Sequence, residues 1–278
     1  MARITGGIGV PHTPYFPKFA AAEGPEGEIN SFFAPIRARI EAHRPDVLIV
    51  IDTDHFNTFY FDNFPTFAVG VDDSFYGPID DVALMPPRDI GSDRALARHL
   101  HTALVRAEFD PAFVTNFKIG HSTCVPLHFL TPDLDVPVVP IFLNGHLPPM
   151  PSAARAYGFG KALGAAIEAW PADIGVEVVG TGSFSLDVAG PLMFEGENYG
   201  VPDLAWAKRV IALMVEGEME TLIAEATEPR MLAAGNVGGE VLNWIAMIGA
   251  VGNDKAGSIA LQEHRGHAYG IWDAGEAQ

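Results

Sequence analysis

Short apolar runs rich in β-branched residues alternate along this chain with longer segments of helical periodicity. The runs are each followed by Pro, Gly, Asp or Asn, which is typical of strands in a buried sheet, and they cover residues 4–10, 47–51, 67–71, 136–142 and 176–179. Apolar residues three and four positions apart predict helices over residues 28–43, 93–107, 153–170, 203–216 and 239–250. The alternation predicts an α/β fold, a single domain over residues 1–278 with a central, mostly buried sheet flanked by helices.

Composition narrows the classes of function. The formal charge of −18 and the pI of about 4.8 argue against binding to nucleic acid or to an anionic membrane surface, since both need clustered Lys and Arg. The single cysteine, Cys124, cannot form an internal disulfide, and no window approaches the roughly 20 apolar residues of a membrane span. We therefore expect a cytoplasmic protein that acts on a small molecule.

Two histidines directly follow predicted strands, where loops leave the sheet. His12 stands between Pro11 and Pro14, which restrict the backbone on either side, and His55 ends the polar sequence Asp-Thr-Asp-His after the strand 47–51. Ligand sites of α/β proteins gather at such strand ends. Taken alone, His12 is equally well explained as a histidine in a turn, and His55 is better explained as part of an Asp-rich loop.

A glutamate supplies the third candidate. Glu240 follows Gly238 and Gly239 at the beginning of the predicted helix 239–250, where the helix dipole favours a carboxylate and is sufficient reason for one. Two imidazoles and one carboxylate, however, are the ligand set of non-haem Fe(II) oxygenases, and they leave about three metal positions open. His12, His55 and Glu240 are therefore candidate metal ligands.

These sequences occur together, and in this order, in a known family. The chain resembles the class III extradiol ring-cleaving dioxygenases, the family of the catalytic subunit of protocatechuate 4,5-dioxygenase, over residues 7–14, 46–55, 64–70, 121–127, 180–190 and 238–244. The resemblance implies Fe(II) bound by His12, His55 and Glu240. It also implies that O2 opens a substrate ring bearing two hydroxyl groups, or an amino and a hydroxyl group.

Residues 120–127 resemble the Asp-His-Gly-x-x-Val-Pro-Leu element of this family. The histidine is His121, while Gly120 and Ser122 stand where the family has Asp and Gly. The resemblance implies that His121 lies beside the substrate. We assign no role to His128, which we interpret as a helix-facing histidine.

One family residue is missing. The family sequence Gly-Thr-Gly-x-x-Ser-His ends in a histidine implied to act as acid and base, and the corresponding position here is Leu186. Leucine cannot transfer a proton, and losing such a group costs ~10² to 10⁴ in rate. Either another histidine such as His121 or His146 has the role, or the substrate needs no such base, or the chain is a poor catalyst. Retention of the three implied ligands favours an active enzyme.

Residues that would recognise a carboxylated ring are less distinct. Arg88, Lys118 and Arg265 are candidates by loop position, although a solvated surface charge is the more common explanation of each. Residues 263–267 contain further ligand-type side chains, which we interpret as an exposed His-rich stretch rather than a second metal site.

Two other functions remain open. Since the resembled family includes companion subunits and inactive sister subunits, the scaffold suits a non-catalytic metal-binding partner as well as an enzyme, and we expect a homo-oligomer or a partner subunit. Two histidines and a glutamate also suit the zinc site of a hydrolase or lyase. The leading hypothesis remains a dioxygenase whose partners are a small aromatic substrate and O2.

Overall fold

The computed structural model describes residues 1–133 and 135–275 of the chain. Eight strands of this part form one mixed sheet: β1 (Arg3–Val10), β2 (Val47–Asp52), β3 (Phe67–Gly70), β6 (Ala112–Val114), β7 (Val138–Leu143), β8 (Gly175–Thr181), β11 (Ser258–Gln262) and β12 (His267–Asp273). Two small ribbons consist of β4 (Ser74–Gly77) with β5 (Arg88–Gly91) and of β9 (Asp187–Val188) with β10 (Tyr199–Gly200). The helices are α1 (Phe16–Glu23), α2 (Glu28–His43), α3 (Arg94–Arg106), α4 (His121–Leu130), α5 (Ala153–Glu168), α6 (Leu204–Glu216), α7 (Met219–Glu225), α8 (Glu228–Ala233) and α9 (Val241–Val251).

The order of the strands determines where the loops meet. The large sheet runs β11-β12-β1-β8-β2-β7-β3-β6. The four central strands β1, β8, β2 and β7 are parallel, whereas β12 is antiparallel to β1. The carboxyl ends of four strands and the amino end of β12 therefore lie along one edge of the sheet, which is the usual position of ligand sites in such folds.

Both faces of the sheet are covered. Along β2, Ile49 and Ile51 belong to an apolar cluster that includes side chains of α3, α5, α6, α7 and α9, whereas Leu48 and Val50 belong to a second cluster with side chains of α1, α2 and α4. This alternation follows from the two-residue period of a strand. Within the described residues, no helix has both the length and the apolar content needed to span a membrane.

Helix α9, which follows Glu240, packs closely against α5 because α5 has glycines at the crossing. A Cβ atom on Gly160 would lie 2.0 Å from the carbonyl oxygen of Ala246, and one on Gly164 would lie 2.4 Å from that of Ala250. Neither carbonyl can yield without moving the α9 backbone. The short distance between α5 and α9 depends on these two glycines. The position of Glu240, directly before α9, therefore depends on them as well.

The predicted α/β fold with a buried central sheet is confirmed. Each of the five predicted strands and five predicted helices corresponds to an observed element with ends shifted by a few residues. Glu240 lies in a 3₁₀ turn, Gly238–Glu240, that leads directly into α9. The sequence patterns missed α1, α4, α7 and α8, the antiparallel pair β11 and β12, β6, and both small ribbons.

We expect Gly160→Ala to lower the free energy of unfolding by about 1–3 kcal/mol, because the added methyl group forces α5 and α9 apart. Gly158→Ala is the matched control on the same helix, since its Cβ would meet its nearest neighbour, Phe109, at an ordinary 3.5 Å. That control should be neutral or stabilising by up to about 1 kcal/mol. Urea denaturation of both variants measures the difference, and equal stabilities would contradict close packing at Gly160.

Candidate metal centre

The strand ends deliver the candidate side chains to one place. His12 lies two residues beyond β1, His55 three residues beyond β2 and His146 three residues beyond β7. Ser183 lies two residues beyond β8, and Glu240 arrives from above in the turn before α9. Residues that are far apart in the sequence thus meet at the edge formed by parallel strands.

Glu240 lies at the centre of this group. Its Oε1 is 3.1 Å from Nε2 of His12 and 2.8 Å from Nε2 of His55. The carboxylate is 1% exposed, and among the described residues only these two histidines pair with it. Burial opposes ionisation, but the two imidazoles hold the pKa of Glu240 well below its usual range. A buried negative charge without Lys or Arg is a suitable place for a cation.

The other nitrogen of each imidazole also has a partner. Nδ1 of His12 is 3.0 Å from Oγ1 of Thr181, and Nδ1 of His55 is 2.8 Å from Nε2 of His121. Nδ1 of His121 in turn hydrogen-bonds the carboxylate of Asp80. Such outer partners fix the tautomer and ring orientation of metal-binding histidines.

This hydrogen-bonded chain has a consequence for His55. Because Asp80 accepts the Nδ1–H of His121, a neutral His121 has its lone pair on Nε2 and accepts the Nδ1–H of His55. A neutral His55 then directs the lone pair of Nε2 at Oε1 of Glu240, and two acceptors 2.8 Å apart repel unless a cation or a proton lies between them. The donor set therefore fits a divalent metal ion held by His12, His55 and Glu240.

A second group of donors also meets here. Ring nitrogens of His12, His55 and His121 lie within 4.8 Å of one another and could hold an ion without the carboxylate. The set with Glu240 is the better one on physical grounds, because both nitrogens of His121 are engaged by Asp80 and His55. It also supplies the negative charge that a buried cation needs.

The loop after β8 holds the second oxygen of Glu240. The backbone N–H of Ser183 donates to Oε2 at 3.0 Å. Gly182 has φ +133°, which side-chain-bearing residues rarely adopt, and a Cβ there would lie 2.4 Å from Cβ of Glu240. The glycine in the family-like sequence thus has a backbone role beside the carboxylate.

Buried hydroxyl groups hold α4 against β2, which brings His121 beside His55. Ser122 Oγ donates to Oδ2 of Asp52 at 2.7 Å, and Thr123 Oγ1 donates to the same oxygen at 2.5 Å. Burial raises the pKa of Asp52 to about 6 despite these two donors. The first turn of α4 is therefore tied to the end of the strand that leads to His55.

A cleft of about 260 Å³ opens over the centre, close to the lower end of the size range of small-molecule sites. His121, His146 and Leu186 line it together with the three candidate ligands. Nδ1 of His146 has no hydrogen-bond partner among the described residues, and burial, followed by the nearby His55, lowers the pKa of His146. All five candidate metal-binding and catalytic residues therefore line one cleft, and Leu186 forms part of its apolar wall.

His267 also lines the cleft, and the sequence interpretation missed it. We expected an exposed stretch there, which is wrong for His267: it is 4% exposed, and Nδ1 is 3.1 Å from Oγ of Ser183. Burial lowers the pKa of His267 to about 3, and the charge of Arg265 acts in the same direction. Pairing of Gly9 with Gly270 in antiparallel strands brings the beginning of β12 level with His12. No local sequence signal predicts that pairing.

The structure also separates the three cations considered for substrate binding. Arg265 lines the cleft. Arg88 lines a different cleft, together with Cys124 and His128, and Lys118 is an exposed residue whose backbone bonds Thr58. Of these three cations, Arg265 is thus the one that can contact a small molecule bound in the cleft.

Comparisons with known proteins relate most of the chain to a described family. Residues 6–274 match the family described as the catalytic LigB subunit of aromatic ring-opening dioxygenase. A 2,3-dihydroxyphenylpropionate/2,3-dihydroxicinnamic acid 1,2-dioxygenase of Burkholderia vietnamiensis (strain G4 / LMG 22486) is 26% identical, over 95% of this chain and 93% of that protein. The enzyme of the same name from Klebsiella pneumoniae (strain 342) is 32% identical, over 55% of this chain and 48% of its own length. The crystal structure of an uncharacterized Escherichia coli K12 protein, JW3007, has a similar fold, with a TM-score of 0.62, 14% identity and coverage of 97% and 99%.

We expect His267 to make the protein less stable in acid. Because its pKa in the folded state is about 3 and that of an unfolded histidine is about 6.5, the unfolded chain binds more protons between these values, and stability falls as pH drops below about 6.5. His267→Gln should reduce this loss by about 1 kcal/mol per pH unit between pH 6.5 and 5. Urea denaturation over this range measures it.

His264→Gln is the matched control, since it removes an exposed imidazole from the same turn. It should keep the pH dependence of the parent. If both variants lose stability with the parent's slope, folding does not keep His267 neutral.

Proposed function

The chain belongs to the family of LigB catalytic subunits of aromatic ring-opening dioxygenases, and we propose that Fe(II) bound by His12, His55 and Glu240 is its metal. As a member of this family it is an aromatic ring-opening dioxygenase. The proposed reaction is extradiol cleavage, in which a ring carbon–carbon bond breaks beside the two substituted carbons and both atoms of O2 enter the product.

One observation carries the metal assignment. Two Nε2 atoms converge on a single oxygen of a carboxylate that is buried and has no Lys or Arg partner within the described part of the chain. Two imidazoles and one carboxylate leave a face of the ion free, as oxygenases that bind both substrate and O2 require. The cleft opens over this group.

Bound Fe(II) would supply adjacent positions for two substrate oxygens and O2, so that they meet in one orientation. The protein contributes the surroundings. Thr181 and His121 orient the two ligand imidazoles, and the N–H of Ser183 holds the free oxygen of Glu240. Leu186 gives one side of the cleft an apolar wall.

We assign different roles to the two candidate catalytic histidines, His121 and His146. His121 has both ring nitrogens occupied, by Asp80 and by His55, so it acts by positioning His55. His146 lines the cleft with its ring 5.6 Å from that of His55 and makes no hydrogen bond through its ring nitrogens to the described residues. Of these two residues, His146 is therefore the one with a free nitrogen that can take a proton from a ring hydroxyl group.

The names of the relatives support a catechol-type substrate. The two similar enzymes are named for 2,3-dihydroxyphenylpropionate and 2,3-dihydroxicinnamic acid, both of which carry adjacent hydroxyl groups. We propose a ring of this type for the present enzyme. The cleft has space for one substituted aromatic ring.

We expect His12→Ala to abolish Fe(II)-dependent oxygen uptake with catechols and to weaken Fe(II) binding, because two remaining ligands hold the ion poorly. His43→Ala, which removes an exposed imidazole at the end of α2 and outside the cleft, should retain both properties. Anaerobic metal titration and an oxygen electrode provide the two measurements.

Wild-type iron binding and uptake in His12→Ala would eliminate the proposed ligand set. Stoichiometric zinc in anaerobically purified protein, with an activity that does not need O2, would favour the hydrolase or lyase alternative. Bound iron without uptake on any catechol, aminophenol or hydroquinone would favour the non-catalytic subunit.

We expect His146→Phe to lower turnover by ~10² to 10⁴, the usual cost of losing a positioned acid or base. Adding Leu186→His should restore part of that rate, because residue 186 lines the same cleft. Val188→His is the control, since it places an imidazole at the exposed end of that wall and should restore nothing. Unchanged turnover in His146→Phe would show that the proton is taken elsewhere.

A further inference from the structure

Arg265 gives the cleft a charge that the candidate metal centre does not use. Among the described residues that line the cleft, it is the one Arg or Lys side chain, and Glu240 is the one carboxylate. Arg265 lies in the turn between β11 and β12, and its side chain is 18% exposed. In a protein of net charge −18, a lining cation is a specific attraction for an anion.

Neighbouring residues orient the guanidinium group and, within the described part of the chain, leave its Nη hydrogen-bond donors unpaired. It stacks 4.7 Å from the ring centre of Phe19, and Nη2 forms an ion pair with Oε1 of Glu23 at 3.6 Å, which is too long for a hydrogen bond. The other oxygen of Glu23 accepts the N–H of Ile29 at 3.0 Å. Nε donates to His264 at 3.3 Å, and neither Nη atom has a hydrogen-bond acceptor among the described residues.

The lining of the cleft is otherwise mainly apolar. Its apolar side chains are aromatic or aliphatic and include Tyr15, Phe19, Leu186, Val188, Tyr199 and Val237. A ligand that fills this cleft would have one polar group at the metal centre, an anionic group at Arg265 and an apolar part against this lining. Planar guanidinium groups with free donors bind carboxylates through paired hydrogen bonds.

We propose that Arg265 is a specificity-determining residue that binds an anionic substituent of the ring substrate, carried on a short apolar side chain. The placement of the aromatic ring at the metal centre rests on the proposed function. The contact between Arg265 and the anionic group does not. Phe19 and Glu23 act through Arg265 by holding the plane of its guanidinium group toward the cleft.

The test uses two catechols of the same shape and different charge, 3-(2,3-dihydroxyphenyl)propionate and 3-propylcatechol. Arg265→Met removes the charge and keeps the apolar stem. We expect kcat/KM for the carboxylate to fall ~10- to 100-fold, mainly through KM, because a charge-assisted hydrogen-bonded pair is lost. Activity on 3-propylcatechol should stay within about twofold.

Two further variants separate charge from packing. Arg265→Lys should recover part of the preference for the carboxylate, since it restores the charge without the planar donors. Arg88→Met, in the separate cleft, should change neither substrate. Equal losses on both catechols in Arg265→Met would assign Arg265 a structural role, and no loss on either would overturn the proposal.

A binding measurement keeps this test independent of catalysis. Calorimetric titration with 3-phenylpropionate and the neutral 3-phenylpropanol needs neither metal nor O2. Tighter binding of the carboxylate by the wild type, lost in Arg265→Met, supports the role of Arg265 even if neither catechol is consumed. Failure to consume either catechol would contradict the proposed function and not the role of Arg265. Equal binding of the two compounds by the wild type would overturn the role of Arg265.

Discussion

The buried carboxylate of Glu240 is the constraint around which the site is organised. A carboxylate at 1% exposure loses its hydration, and burial of an unpaired charge is unfavourable by several kcal/mol. Its compensation comes from His12, His55 and the N–H of Ser183, which come from three neighbouring parallel strands. Compensation of the charge on Glu240 thus depends on the order of the strands. If a strand other than β1 or β2 lay beside β8, the carboxylate would lose one of its two histidines.

The sequence predicted the parts of the fold whose signal is local. Residues 47–51 form a continuous apolar run because β2 is covered on both faces, and such runs are visible without knowledge of their neighbours. Helix α4 was missed because nine of its ten residues are buried, so it has no polar face and no amphipathic period. Strands β11 and β12 were missed for another reason. They lie at one edge of the sheet, where exposed positions and a glycine interrupt the alternation of apolar and polar residues.

The candidate site divides in the same way. His12, His55 and Glu240 occur in distinctive sequences, and the resemblance to a family connected them before any geometry was known. His267 and Arg265 reach the cleft only because β12 pairs antiparallel with β1. That pairing joins residues more than 250 positions apart, and nothing within the sequence around 263–267 distinguishes a buried histidine from an exposed one. Asp80 is equally invisible, since its partner His121 lies 41 residues away.

The loop after β8 explains how a family-like sequence persists around an altered residue. Its backbone supports Glu240 through Ser183, and the carbonyl of Leu186 accepts the N–H of Val237 at 3.3 Å. These contacts depend on glycine at 182 and on main-chain atoms, so they are indifferent to the side chain at 186. The leucine can therefore contribute an apolar wall while the surrounding backbone keeps its position. Residues 180–185 therefore serve to support the carboxylate of Glu240. Proton transfer depends instead on the histidines that face the cleft.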